Sequence, residues 1–405
     1  MTYRRSSPRR ILALWGLGTL LAALVLLGAS EGRALESAAL GALAPPSAEA
    51  PRFPPWMEAI PQGMERALRT PEGLLTSRTT SGEILAETQT LEMEWHLVRN
   101  CRASFDESVA LLRRYFLAPS GLLAWRLSPD ARGGFPETTP PQTASDAPEG
   151  ASASVDDLRA CRVLLEAEAR WQDPRYGALA DHVLDALYAH CVQENLLLEG
   201  ASWQRSPFFG FLRIHRSTTP VLLSYVDLAA LALAAERQQI WRQVFSAMLG
   251  LSAAGALARD VPAGAFDPAT ERYDPAPINS INALMHLRTL TEVGLIPRQG
   301  VEALRREFLA QGTLRDPWGN ENVAMYALAA EIFWLAGHPQ EARRALDRIG
   351  NFRLQSPQNR GLVGYFQEDG NESAWIVDNL VALIAGARLH SVPELSGAPV
   401  PTIFP

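Results

Sequence analysis

Hydrophobic residues at helical spacing succeed one another in pairs from Pro54 almost to the end of the chain. In the segment 84–98, for example, Ile84, Thr88, Leu91 and Trp95 recur every three or four residues, as on one face of an α-helix. β-rich stretches are nearly absent, so the pattern predicts an all-α protein. The predicted helices cover 56–68, 84–98, 104–116, 156–171, 176–192, 219–235, 239–254, 278–293, 298–309, 322–336, 340–349 and 373–387.

The connections between these helices distinguish two architectures. Helical hairpins in this number form either an open helical-repeat solenoid or a closed (α/α)6 barrel with an inner and an outer ring. A solenoid built on a fixed repeat should have loops of similar length. Here short turns alternate with long segments at 117–153, 193–217 and 255–277. We therefore expect a closed (α/α)6 barrel over residues 53–395, with elaborate loops on one face.

The N-terminal segment has the features of a membrane-targeting sequence. Four arginines within residues 4–10 precede an uncharged run from Ile11 to Ser30. The run is long for a signal-peptide core and just long enough to span a bilayer. We interpret residues 1–30 as a signal peptide or, preferably, an N-terminal transmembrane anchor, and residues 31–52 as a flexible tether. Either alternative predicts that the barrel lies outside the cytoplasmic membrane.

Composition excludes several function classes. The formal net charge of −7 gives no basic surface for nucleic acid. All 37 cationic residues are arginines, which excludes Schiff-base lysine chemistry, pyridoxal-phosphate catalysis and a phosphate-loop lysine. The three cysteines have no metal-binding spacing, and the seven histidines form no metal-ligand pair. No metal and no cofactor is predicted.

The stretch from Ala153 to Trp171 places carboxylates at the start of an apolar helix. Asp156 and Asp157 follow a small polar residue, Ser154, and this order suits a helix N-cap with an acidic first turn. Helical spacing puts the following residues on one face: Asp157, Ala160, Leu164, Ala167 and Trp171. A carboxylate is therefore expected at the end of a buried stripe.

The same stretch resembles the signature of glycoside hydrolase family 8, which includes cellulases, licheninases, xylanases and chitosanases. The resemblance extends over roughly residues 75–290. It implies that an aspartate in this motif binds and distorts the sugar at the point of cleavage. In this chain the first aspartate of the pattern falls on Val155, and Asp157 matches the second. We therefore place Asp157 among the catalytic candidates, and Asp156 or Asp157 could take over the role of the missing aspartate by a one-residue shift.

The resemblance also assigns a general acid. Family 8 enzymes carry it at the start of the first inner helix, at a characteristic distance before a Phe-Asp pair. Counting back from Phe105 and Asp106 places it on Glu87, although Ala86 and Thr88 depart from the family pattern. Glu83, four residues earlier and on the same helical face by its spacing, is the alternative acid. Without the resemblance, Glu87 would be read as an ordinary helix-surface glutamate.

The catalytic base is expected near a Tyr-Asp segment before a later inner helix. The nearest counterpart is Tyr273 followed by Asp274, so Asp274 is the candidate base and Asp267 the alternative. Asp274 precedes a proline, and such a dipeptide is also common in turns.

Aromatic residues gather in the long loops, where they could stack against sugar rings or pack the loops onto the barrel. We assign substrate binding to Trp125, Asp156, Trp203 and Tyr273. The complete loop set is Trp125, Trp203, Phe208, Phe209, Phe211, Tyr273, Trp318, Tyr365 and Phe366.

The resemblance implies an endo-acting, inverting hydrolase of a β-linked polysaccharide, with a role in exopolysaccharide processing. Inversion requires one carboxylic acid and one carboxylate base. Val155 motivates a first alternative, a catalytically impaired homologue that only binds glycan. A second alternative is a helical-repeat scaffold of the cell envelope. A polysaccharide lyase on the same barrel is disfavoured, because no Tyr and His cluster near basic residues is evident.

Overall fold

The computed structural model describes residues 53–127, 135, 150–205, 212–217, 220–274, 280–366 and 371–391. These residues form twelve α-helices and a set of short antiparallel strands. The helices are α1 Pro55–Ala67, α2 Ala86–Val98, α3 Arg102–Leu111, α4 Ser154–Trp171, α5 Pro174–Cys191, α6 Leu228–Arg237, α7 Trp241–Ala256, α8 Ser280–Glu292, α9 Arg298–Gln311, α10 Val323–Leu335, α11 Pro339–Ile349 and α12 Ile376–Ser391.

The even-numbered helices form a closed inner ring. Each of α2, α4, α6, α8, α10 and α12 contacts the next, and α12 contacts α2 again. The odd-numbered helices pack outside them; α5, for example, lies against α4 and α11 against α10. The predicted closed (α/α)6 barrel is thus confirmed, and the open solenoid is wrong.

All long connections lie at one end of the barrel. The segments that lead from an inner helix to an outer one are short, such as 99–101, 172–173 and 238–240. Those that lead back to an inner helix are long, and they carry the strands. The strands are β1 Ile84–Leu85, β2 Arg126–Leu127, β3 Gly150–Ala151, β4 Val192–Gln193, β5 Leu196–Leu197, β6 Ala201–Arg205, β7 Leu212–Arg216, β8 Val221–Leu222, β9 Ala265–Asp267, β10 Arg272–Tyr273, β11 Tyr365–Phe366 and β12 Glu372–Ser373.

These strands join into small sheets above the N-terminal ends of the inner helices. The larger sheets have the strand orders β3-β6-β7 and β10-β9-β8, and a two-stranded sheet pairs β1 with β2. In the last of these, Ile84 lies opposite Leu127 and Leu85 opposite Arg126. The long loops are therefore attached to the barrel by backbone hydrogen bonds.

Helix α6 is shorter than its hydrophobic pattern predicted. The segment 219–235 was expected to be helical, but Val221–Leu222 pairs with β9 and Leu223–Tyr225 forms a 3₁₀ turn. The Leu223 N–H donates to the Gly264 carbonyl over 2.9 Å. Asp227 then caps α6 by accepting from the Ala230 N–H over 2.9 Å. Tertiary strand pairing and this cap override the local helical spacing.

An aromatic cluster holds α3, α4 and α5 together. The Phe105 ring, which is fully buried, lies 4.9 Å from the Trp171 ring and 5.3 Å from the Tyr176 ring. The Tyr176 hydroxyl donates to Asp106 over 2.6 Å. The Phe-Asp pair used to assign Glu87 is therefore part of the packing between inner and outer helices.

Charged residues fill one level of the barrel interior, beginning between α2, α12 and α10. Arg388 of α12 donates to Glu94 of α2 over 2.5 Å and to Glu331 of α10 over 2.8 Å. Arg288 of α8 donates to the same Glu331. A continuous set of ion pairs thus links four inner helices.

The remaining two inner helices join through Arg162 of α4. Its guanidinium donates to Glu292 of α8 over 2.5 Å and to Glu166 over 2.8 Å. It also lies 3.4 Å from Asp227, the cap of α6. Arg288 lies 3.6 Å from Glu292 and completes the chain of contacts. We call the whole set the arginine–carboxylate ring; its members are Glu94, Arg162, Glu166, Asp227, Arg288, Glu292, Glu331 and Arg388.

The charges in this ring stabilise one another against burial. Burial alone lowers the pKa of Arg288, but the charges of Glu292 and Glu331 raise it above its usual value. Burial raises the pKa of Glu292, yet Arg162 and Arg288 lower it overall. Removing one member of such a set leaves an uncompensated buried charge, which costs far more than an exposed ion pair contributes.

A neutral replacement in the arginine–carboxylate ring should therefore destabilise the barrel. We expect Glu331→Gln to lower the free energy of unfolding by about 3 kcal/mol or more, because Arg288 and Arg388 lose their shared partner. Urea unfolding at neutral pH measures this change. The matched control is Glu302→Gln, whose side chain is 48% exposed and pairs with Arg305; there we expect about 0–1 kcal/mol. Equal losses for the two variants would contradict a stabilising ring.

Candidate active site

The inner helices enclose a narrow cavity directly above the arginine–carboxylate ring. Its volume is about 110 Å³, below the roughly 300–1,000 Å³ of common ligand pockets. The lining residues recur at helical spacing, as with Glu87, Leu91 and Glu94 on α2. A large ligand therefore cannot enter the barrel and would have to lie across its mouth, among the long loops.

Glu87 lies in the first turn of α2 at this mouth. Strand β1 ends directly before the helix, and the Ala86 N–H donates to the Trp125 carbonyl over 2.9 Å. These contacts fix the point at which α2 begins. The Glu87 side chain is 37% exposed, and one carboxylate oxygen lies 4.0 Å from the Arg159 guanidinium. The predicted acid is thus at the mouth and accessible to solvent.

Asp156 is the next carboxyl group beside Glu87. Its side chain lies 3.2 Å from Arg159, so Arg159 contacts both carboxyl groups. Burial raises the pKa of Asp156 to about 7; the Arg159 charge lowers it and the Glu87 charge raises it. Asp156 is only 5% exposed. At neutral pH this carboxyl group is poised between its neutral and charged forms.

Val155 occupies the position that faces the cavity. It lines the space together with Arg159 and Arg162, four and seven residues later on α4. An α-helix turns by about 100° per residue, so Asp156 and Asp157 point progressively away from the cavity. A one-residue shift of the aspartate therefore does not reproduce the direction of a side chain at position 155.

The structure contradicts a catalytic role for Asp157. This residue is fully buried, and its Oδ1 accepts from the Leu123 N–H over 2.8 Å. Its Oδ2 has no hydrogen-bond partner. Burial raises the pKa of Asp157 well above its usual value; the Leu123 N–H lowers it and the charge of Asp156 raises it. The reason for the wrong prediction is that Asp157 shares the apolar stripe of Ala160 and Leu164, which packs in the wall of the barrel.

Asp274 and Asp267 lie on the loop face, outside the cavity lining. Asp274 follows β10, is exposed, and its N–H donates to the Ala265 carbonyl over 2.9 Å. Asp267 accepts from the Thr270 hydroxyl over 2.7 Å, which belongs to the turn between β9 and β10. Glu83, the alternative acid, precedes α2 and lies 3.4 Å from Arg126. It is therefore not on the helical face of Glu87, as its spacing had suggested.

The loop aromatics divide into exposed and buried groups. Trp125 is 39% exposed and Trp318 is 74% exposed, so both rings can meet a ligand. Tyr273 is partly buried, and its hydroxyl donates to the Leu251 carbonyl over 2.7 Å. Phe208, Phe209 and Phe211 lie outside the described residues.

Trp203 is the aromatic for which the structure contradicts the prediction. It lies in the middle of β6, is 2% exposed, and its indole ring packs over Gly150 of the neighbouring strand β3. A Cβ atom on Gly150 would lie 2.8 Å from this ring. Trp203 therefore cannot stack against a sugar, because it packs the loop sheet instead.

Sequence reasoning missed three polar residues around Glu87. Arg159 contacts it directly, and the pKa of Tyr225 is raised by burial and by several nearby charges, Glu87 among them. Burial raises the pKa of Asp378 to about 7; the Tyr365 hydroxyl and the Ala324 N–H, which donate to it, lower that value. Helical spacing could have identified Arg159, because it lies four residues after Val155 and therefore on the same helical face.

The arrangement suits acid–base chemistry on a ligand held at the mouth. Glu87 is accessible, and an arginine and a second carboxyl group lie beside it. Within the described residues, no group of three or more His, Cys, Asp or Glu side chains is placed to hold a metal ion.

Solved structures share this fold. A protein described as a novel alpha-amylase from Clostridium perfringens is 19% identical, and the alignment covers 82% of this chain and 97% of that one with a TM-score of 0.69. The endo-β-1,4-glucanase CMCax from Acetobacter xylinum is 17% identical, with 83% and 98% covered and a TM-score of 0.57. Endoglucanase Cel10 from Klebsiella pneumoniae, a family 8 glycosyl hydrolase, is 19% identical, with 81% and 99% covered and a TM-score of 0.51.

These similarities establish that the chain has the barrel fold of those glycosidases. No protein-family model matches the sequence, and no curated protein matches it. The predicted anchor and tether, residues 1–52, and residues 392–395 of the predicted domain lie outside the described residues. Among the described helices, none combines the length and apolar character needed to cross a bilayer.

The buried Asp157 should make the stability of the protein depend on pH. Its raised pKa means that folding favours the neutral acid, so its contribution is complete below the unfolded pKa of about 4 and is lost as pH rises through the folded pKa. Asp157→Asn keeps an acceptor for the Leu123 N–H and removes the ionisable group. We expect the variant to gain stability relative to wild type as pH rises from acid to alkaline, as measured by urea unfolding across that range. A stability difference that does not change with pH would contradict a neutral buried Asp157.

Proposed function

We propose that this protein is an endo-acting glycoside hydrolase that cleaves a β-linked polysaccharide with inversion. The proposal depends mainly on the position of Glu87, whose accessible carboxyl group lies at the barrel mouth with Arg159 and Asp156 beside it. The barrel shared with solved glycosidases supports it further. A polymer that lies across the mouth would be cut internally, because the narrow cavity below admits no chain end.

In this proposal Glu87 protonates the glycosidic oxygen of the leaving sugar. General acid catalysis requires a carboxylic acid within hydrogen-bond reach of that oxygen. The exposure of Glu87 allows such an approach. The Asp156 carboxyl group shares the Arg159 guanidinium with Glu87, at 3.2 Å from Asp156 and 4.0 Å from Glu87.

Asp274 serves as the base that activates water. Inverting enzymes need a carboxylate that is ionised and reached by solvent, on the side of the sugar opposite the acid. Asp274 is exposed on the loop face, whereas Asp156 is almost fully buried. We therefore assign Asp156 to the stabilisation of positive charge on the sugar, and Asp274 to the activation of water.

Two competing functions are tested by the same experiments. An α-linked glucan is the second candidate substrate, because the similar structure from Clostridium perfringens is described as an alpha-amylase. A protein that binds glycan without cleaving it is the other candidate, because Val155 replaces the aspartate expected to face the cavity.

We further propose that the protein acts outside the cytoplasmic membrane and processes an exopolysaccharide. The arginine-rich N-terminal segment and its uncharged run, residues 1–30, support an anchor or signal peptide. An anchored hydrolase would be suited to cutting a polymer that leaves the same cell.

Replacement of the proposed acid should remove hydrolysis. Release of reducing ends is measured on β-1,4-glucan, mixed-linkage β-glucan, xylan, chitosan and starch. On the substrate that wild type cleaves, we expect Glu87→Gln to be slower by a factor of about 10²–10⁴, the usual contribution of a positioned acid. Glu83→Gln is the matched control and should stay close to wild type. Equal product from wild type and Glu87→Gln on every polymer would refute the enzyme, while cleavage of starch alone would favour the α-linked substrate.

Asp156 should shape the pH dependence of this activity. Its pKa, raised to about 7 by burial, keeps Asp156 largely neutral below that pH, where it carries no negative charge to stabilise the positive charge that develops on the sugar. We expect the activity of wild type to increase as pH rises towards 7, and Asp156→Asn to lack this increase. Initial rates measured from about pH 4 to about pH 9 test this expectation. Identical pH profiles for the two proteins would contradict the role given to Asp156.

A further inference from the structure

Arg78 stacks on Trp375 at the rim of the barrel mouth. The centre of its guanidinium lies 5.0 Å from the centroid of the indole ring, and Trp375 is 40% exposed. Backbone hydrogen bonds hold the two segments together: the Ile376 N–H donates to the Ser77 carbonyl over 2.9 Å, and the Thr79 N–H to the Ala374 carbonyl over 3.0 Å. The position of this stack is therefore fixed by the fold.

The Arg78 guanidinium has hydrogen-bond donors that no group of the described chain satisfies. Its Nε is buried and lacks a partner, and no carboxylate of the described residues forms an ion pair with it. The arginines of the barrel interior differ, since Arg162 and Arg388 each contact two or more carboxylates. The Arg78 Nε is closed to solvent, so an acceptor from outside would bind the terminal amino groups of the guanidinium, which form no hydrogen bond or ion pair within the described chain.

The stack lies next to the candidate active site. Trp375 directly precedes α12, whose Val377 lines the same cavity as Glu87. On the other side of Glu87, the Arg126 guanidinium lies 4.8 Å from the centroid of Trp125. The Trp125 carbonyl accepts the N–H of Ala86, the residue before Glu87. A glycan that crosses the mouth at Glu87 would therefore meet an arginine and a tryptophan on each flank.

We propose that Arg78 and Trp375 form a subsite for an acidic sugar, so that the preferred polysaccharide carries carboxylate or similar anionic substituents. This inference rests on the proposed function and specifies its substrate class. The planar guanidinium donates two parallel hydrogen bonds to a carboxylate, a geometry that no neutral hydroxyl group reproduces. The exposed part of the indole ring supports the adjoining sugar ring. Arg126 adds positive charge on the other flank, where Glu83 at 3.4 Å partly neutralises it.

Binding of matched polymer pairs tests this subsite independently of cleavage. The full chain is used as the Glu87→Gln variant, so that polymers stay intact. The pairs are carboxymethyl cellulose with hydroxyethyl cellulose, carboxymethyl amylose with hydroxyethyl amylose, and polygalacturonate with its methyl ester. We expect at least one acidic polymer to bind about tenfold more tightly than its neutral partner, the strength of one charge-assisted hydrogen-bond pair. The preference should vanish in about 1 M salt, where the Debye length is about 3 Å.

Adding Arg78→Gln to the same variant should remove the preference and leave binding of the neutral polymer unchanged. The matched control is Arg113→Gln, which removes an equal charge from an exposed position on the outer surface. Unfolding temperatures show whether each variant is folded. The subsite alone would be overturned if Arg78→Gln and Arg113→Gln lowered the preference equally. It would also be overturned if every variant bound neutral and acidic polymers equally. The absence of binding to every polymer would overturn the proposed function together with it.

Discussion

The arginine–carboxylate ring is the interaction on which the arrangement of the barrel depends. Arginines of α4, α8 and α12 pair with carboxylates of α2, α8 and α10 and with Asp227, the cap of α6, so all six inner helices share one set of ion pairs. An apolar interior could close the barrel equally well, but it would not require a helix to keep its register against a neighbour. Because leaving a buried charge unpaired is costly, the ring constrains the rotation of the inner helices. It also forms the floor of the cavity, and the candidate site lies directly above it.

The direction of the inner helices determines where chemistry can occur. All six begin at the end of the barrel that carries the long loops, so the first turns of α2, α4 and α12 meet there. Glu87, Asp156 and Asp378 come from these first turns, and burial raises the pKa values of the two aspartates to about 7. Titratable groups with perturbed pKa values that converge at a cleft are typical of functional sites. The loops above them supply Trp125 and Trp375, whose exposed rings extend the surface around Glu87.

The sequence predicted the helices and the barrel because hydrophobic spacing and loop length are local signals. It located Glu87 at the mouth through the distance to Phe105 and Asp106, which packing between α3 and α5 keeps constant. The sequence-based predictions were wrong where tertiary contacts determine the structure: the strand at Val221 shortens α6, and β6 buries Trp203. Asp157 was chosen over Asp156 by matching a pattern, although the stripe that contains Asp157 is the apolar one. Arg159 and the unpaired Arg78 were not foreseen, since a partner or its absence becomes visible only in three dimensions.

A crystal structure of the Glu87→Gln variant with a bound oligosaccharide shows directly whether Glu87 is placed to act as the acid. The ligand should be a fragment of whichever polymer the protein binds most tightly. We expect a sugar chain across the mouth, with one glycosidic oxygen about 2.6–3.2 Å from the side chain at position 87, and with the Asp274 carboxylate on the opposite face of the adjoining sugar. An oligosaccharide bound elsewhere, or one at the mouth with no glycosidic oxygen within reach of position 87, would contradict it.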